Sequence, residues 1–132
     1  MNETNDALHL AELIASRLCH DLAGPLAALI GILEIAQEEH PGSEPVALAE
    51  QTVIELAQRL KLLRAAWGQA TEDLGLAALR EHAAGLASSH VKLDLSELPP
   101  ETAFPPRIGR LVLNALLLAV ASASGSGTVT LS

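Results

Sequence analysis

Arg17-Leu18-Cys19-His20-Asp21-Leu22-Ala23-Gly24-Pro25-Leu26 lies inside a helical repeat that extends in both directions. Apolar side chains recur at Ile14, Leu18, Leu22, Pro25, Leu29, Ile32 and Ala36, in steps of three and four. That spacing predicts one helix over 6–39. At a rise of 1.5 Å per residue it is about 50 Å long, which suits a bundle or coiled coil better than a small globule. On a wheel of 100° per residue the stripe occupies one side and His20 the other. Arg17, Gly24, Ala27, Gly31 and Glu34 share the side of His20. Large side chains are thus missing from the two turns that follow the imidazole. Pro25 removes a backbone hydrogen bond and crowds the carbonyl of Asp21, at a cost of about 3 kcal/mol. Strain beside an exposed titratable group is a pointer to function, not a proof of it.

His40-Pro41-Gly42-Ser43 ends the repeat. A second helix is expected over 44–68, with Ser43 as N-cap and Pro45 in the first turn. Its seam is Val46, Ala49, Val53, Leu56, Leu60, Leu63 and Trp67, in strict three-four alternation, and Trp67 is expected in the core. The short link makes the two helices an antiparallel hairpin. Helix one also carries a second apolar set, Leu26, Ile30 and Leu33, and one hairpin cannot bury two faces. A homodimeric four-helix bundle resolves this.

Beyond Gly68 the pattern changes. A third helix is expected over 74–89, capped near Asp73, then a strand over 91–95. A Pro-rich loop over 96–106 leads to an apolar helix over 106–123. Gly125-Ser126-Gly127 reads as a turn and 128–131 as a strand. Two strands joined by a helix can lie parallel, yet two make a marginal sheet. The expected class is therefore α+β. Residues 1–70 form the dimerisation hairpin, and 71–132 form a small α/β domain that stops inside its fold.

Composition narrows the function. The chain has 132 residues, is 49% hydrophobic and 18% charged, and carries a net charge of −8. Such a chain folds, and its core is aliphatic because aromatics make up 2%. An acidic protein without a basic stretch is a poor nucleic-acid ligand. One cysteine excludes an internal disulfide, and no Cys/His metal spacing exists. The polar N-terminus is not a signal peptide, and the apolar run Leu111–Ala123 is too short to span a bilayer. A cytoplasmic protein without membrane attachment is expected.

His20 is the candidate nucleophile. A neutral imidazole attacks phosphorus and passes the group on readily. Asp21 can orient or deprotonate the ring, and Arg17 can neutralise phosphoryl oxygens. From these residues alone a solvated surface histidine explains the pattern as well. Cys19 points about 100° away from His20, so a Cys/His pair is not expected.

The residues His20-Asp21-Leu22-x-x-Pro25-Leu26-x-x-Leu29-x-Gly31-x-Leu33-Glu34 resemble the H-box of sensor histidine kinase dimerisation domains. The resemblance is closer to the ChpT-type histidine phosphotransferases of alphaproteobacteria, which look like histidine kinases without ATP binding. It continues through Leu62-Leu63-Arg64-Ala65-Ala66-Trp67-Gly68. It recurs in Arg110–Ala119 and in Gly125–Thr130. The resemblance implies a dimeric bundle that accepts a phosphoryl group from a hybrid-kinase receiver domain on His20. The group then passes to response regulators. It implies docking at Gly24, Ala27, Gly31 and Arg64, with Mg²⁺ held by the partner receiver and no cofactor of the chain's own. It also marks residues 71–132 as a degenerate kinase-like domain. Asn114 matches the first kinase N-box asparagine, but Leu118 replaces the second and Ala121 the following lysine. Autonomous ATP-dependent kinase activity is therefore not expected. Gly24 stands where many kinases place a water-positioning Thr or Asn. Two other readings remain open at this point. One is a fragment of an ATP-dependent kinase; the other is a non-catalytic module that sequesters response regulators.

Overall fold

The computed structural model describes residues 2–69, 71–86, 90–123 and 126–132. Helix α1 spans Glu3–Glu39 and α2 spans Glu44–Trp67. They are joined by a tight turn in which Gly42 takes a φ of 84°, a conformation open to glycine. Helix α1 runs unbroken through Pro25. Pro45 sits in the first turn of α2 as expected. Ser43 does not cap with its hydroxyl; its carbonyl accepts from Ala47 N–H at 3.1 Å.

After α2 come β1 (Leu74–Gly75), α3 (Leu76–Leu86), β2 (Val91–Asp94), β3 (Ala103–Phe104), α4 (Pro106–Ser122) and β4 (Gly127–Thr130). β2 and β4 pair in parallel, with Val91 opposite Gly127 and Asp94 opposite Thr130. α4 lies between them in sequence, so the two strands form the parallel pair that a helical connection allows.

Two expectations are corrected here. Leu74 and Gly75 are not helical: they pair antiparallel with Phe104 and Ala103. The N–H of Leu76 then donates to Thr102 O at 3.0 Å, so the backbone of the Pro-rich segment, not Asp73, starts α3. The same pairing puts a short strand into the segment expected to be all loop. The expected helix end at 87–89 and Gly125 of the turn lie outside the described residues.

The core is asymmetric. Leu62 and Ala66 of α2 pack with Leu76, Leu79, Ala83 and Leu86 of α3, Leu95, and Leu113 and Leu116 of α4. The hairpin buries little by itself, chiefly Cys19 and Val53. The second apolar set of α1 (Leu26, Ile30, Leu33) is half-buried, while the main stripe faces outward: Leu18 is 58% exposed and Leu22 57%. Trp67 is likewise 53% exposed, not core. Its neighbour Ala66 takes the inward position because α2 turns its Leu62–Ala66 side to α3 and α4. By length and composition α1 is apolar enough to cross a membrane.

Candidate functional site

Helix α1 presents His20 to solvent, with its side chain 78% exposed. The Asp21 carboxylate stands between two bases. Its Oδ2 accepts a hydrogen bond from Arg17 Nε at 3.1 Å. Its Oδ1 lies 3.6 Å from His20 Nδ1, close enough for electrostatic attraction but too long for a hydrogen bond. The three polar side chains expected at the site therefore come together. Arg17 differs from expectation in one respect: its Nε is engaged by Asp21, one turn away on the helix.

The face below the imidazole is open. A Cβ added at Gly24 or at Gly31 would meet nothing within 4 Å. Ala27 lines a groove between α1 and α2 with Cys19, Ala23, Leu60, Lys61 and Arg64, a cavity of about 190 Å³. The register of this groove is set one turn above. There a Cβ on Gly68 would stand 2.5 Å from Arg64 O, so the end of α2 itself calls for glycine, and 3.1 Å from Ser16 Oγ, which marks how closely this end approaches α1. Arg64 is thus brought to the level of Cys19, one residue from His20. Of the expected docking residues, the structure places Ala27 and Arg64 in one groove and Gly24 and Gly31 on the open side of α1.

Two contacts give no period or motif in the sequence. Lys61 Nζ bonds Glu81 Oε1 of α3 at 2.5 Å, and this holds the Glu81 carboxyl below its usual range. Arg110 of α4 pairs with Glu12 of α1, with side chains only 19% and 16% exposed. Charge pairs so far apart in sequence are visible only once the fold brings them together. Asn114, the residue matching the kinase N-box, donates its amide to Ala66 O at 2.9 Å and to Arg110 O at 2.8 Å. It ties α4 to the C-terminal end of α2. Leu118, one turn on, is 69% exposed. Among the described residues no group of three His, Cys, Asp or Glu side chains is placed to hold a metal.

These features define a protein that displays a histidine on the outer face of a helical hairpin, with a small α/β unit packed on the hairpin's end. No family model matches the chain. It is 30% identical over 118 residues to Protein phosphotransferase ChpT of Brucella abortus (strain 2308). The match takes in 87% of this chain, which spans 56% of that protein's length. The match supports a ChpT-type family, in that over the aligned residues the chain is similar in sequence to that protein.

Proposed function

We propose that this chain is a histidine phosphotransfer protein of a bacterial phosphorelay, with His20 as the carrier. The observation that carries the reading is the solvent-facing imidazole beside a carboxylate that is itself tied to a guanidinium. An aspartyl phosphate on the receiver domain of a hybrid kinase is the donor. The lone pair of the imidazole nitrogen remote from Asp21 attacks phosphorus. An N–P bond forms, and the O–P bond to the donor carboxylate breaks with its electrons. The ring gains positive charge, and the Asp21 carboxylate beside Nδ1 stabilises it. The reverse sequence delivers the group to the aspartate of a response regulator. Mg²⁺ for both half-reactions is held by the receiver, and the chain needs no nucleotide or cofactor.

The working unit in this reading is a homodimer. Ile14, Leu18, Leu22, Leu29 and Ile32 of α1 and Leu56 and Leu63 of α2 are all exposed, and clustered apolar exposure of this kind marks an interaction surface. A second hairpin covers it and completes a four-helix bundle. A lipid face is the poorer fit, because Arg17, His20 and Asp21 stand midway along α1, where charge in a bilayer is costly. The α/β unit over 71–132 acts as a degenerate kinase-like domain, and the protein works in the cytoplasm.

The test is acid-labile, base-stable labelling of the chain after mixing with a phosphorylated receiver domain. His20→Gln is expected to abolish labelling with the fold intact. Asp21→Asn is expected to slow it by about 10²-fold, within the range for a positioned acid or base. Labelling of His20→Gln at the wild-type rate defeats the reading. Receiver binding without labelling of the wild type points to sequestration instead.

A further inference from the structure

The Lys61–Glu81 pair takes no part in the chemistry at His20 and none in the core, yet its position is informative. Lys61 and Arg64 line the groove that begins at Cys19, next to His20. With Arg17, they bring three of the chain's eight basic residues to this region of a molecule with net charge −8. Glu81 reaches Lys61 from α3. That helix is anchored by Leu79 and Leu86 in the core. It is also drawn against α2 at Gly85, where an added Cβ would lie 3.3 Å from Gln58 Cβ. The carboxylate is therefore delivered by a fixed element of the α/β unit.

Both ends of the pair are exposed, at 61% and 64%. A pair this open contributes little to stability. Its larger effect is on the charge that the groove presents. With Glu81 engaged, one of the two cations on the α2 side is neutralised and Arg64 remains.

We propose that the partner surface beside His20 extends across the groove onto α3, and that Glu81 acts there as a charge selector. A partner with a carboxylate-rich face exchanges one of its own carboxylates for Glu81 on Lys61. A partner without one leaves the pair closed, and Lys61 then offers it no free charge. The inference deepens the phosphotransfer reading and rests on it. The occupant is an acidic receiver domain, because Arg64 keeps its charge in the groove and an incoming carboxylate can take the place of Glu81 on Lys61.

The experiment measures phosphoryl transfer to the full chain from a panel of phosphorylated receiver domains with acidic and basic faces, at low and high salt. Glu81→Gln is expected to raise the second-order rate from acidic receivers about threefold at low salt, the gain fading at high salt because rim charges act on association. Lys61→Glu combined with Glu81→Lys keeps an ion pair and reverses its polarity. This variant is expected to fold as the wild type does and to take phosphate from acidic receivers about tenfold more slowly. Wild-type rates in the reversed pair, or no response to Glu81→Gln, overturn the selector. Normal transfer that is insensitive to both positions defeats this inference alone. A wild-type chain that accepts phosphate from no receiver defeats the phosphotransfer reading with it. Glu81→Gln reads out independently if the double variant fails to fold.

Discussion

Gly31 lies on the open side of α1, and its surroundings separate stability from docking. Glycine in a helix interior costs roughly 0.5–1 kcal/mol relative to alanine. A methyl group at Gly31 meets nothing in the protomer. Gly31→Ala is therefore expected to raise stability by about that amount in chemical denaturation. Gly31→Trp is expected to leave the fold intact and, if the proposed receiver docks on this face, to slow transfer to His20 by filling the open space there. A Gly31→Trp variant that transfers normally shows that the partner approaches from another side. His20, Asp21 and Arg17 were legible as a group because a helix brings residues three and four apart together. The engagement of Arg17 by Asp21 was not, since sequence spacing permits the pair without choosing it over a phosphoryl oxygen.

Helix α4 shows what an element can conceal. Its apolar period is plain in the sequence, and the helix forms where the period puts it. The role of Asn114 depends on the end of α2, 48 positions earlier. Replacing Asn114 with Ala takes the shorter of two side-chain hydrogen bonds from Ala66 O and leaves the long one from Arg110 Nε, at 3.5 Å. The expected loss is about 1–2 kcal/mol in a urea titration, and a loss near zero would show that water replaces the amide. The strands β1 and β3 were illegible for a different reason. Two residues each are too few for any alternation, and the pair exists because Leu74 is held against Gly109, where a Cβ would come within 2.8 Å of Leu74 Cβ. Trp67 follows the seam of α2 faithfully, but a period identifies a stripe and not its neighbour. The Leu62–Ala66 side, which the seam does not mark, is the one that meets α3 and α4.

At the scale of the molecule, His82 makes stability depend on pH. Burial holds its imidazole below its ordinary value of 6.5, the nearby Glu81 opposing this only in part. The folded state therefore resists a proton that the unfolded chain accepts. Above about pH 6.5 both forms are neutral and His82 contributes no slope. Below it the unfolded state binds more protons, so stability falls as pH falls until the folded-state value is reached. Melting temperatures are expected to drop from pH 7 towards pH 5, and His82→Gln to flatten part of that slope. An unchanged slope in the variant assigns the effect to other groups.

Helix α2 takes part in two packings at once. It lies along α1 as far as its C-terminal end, and its second half also supplies Leu62 and Ala66 to the cluster of the α/β unit. A rod shared in this way ties the melting of one half to the melting of the other. Losing the α/β cluster strips the end of α2 that fixes the register on Ser16, and losing the hairpin removes two side chains from the middle of the cluster. Calorimetry is expected to give a single transition whose calorimetric and van't Hoff enthalpies agree, although the chain looks bipartite. Native-state hydrogen exchange is expected to find the amides of Leu62 and Ala66 among the last to open. Two resolved heat-absorption peaks would show instead that α2 frays at its midpoint and that the halves unfold independently.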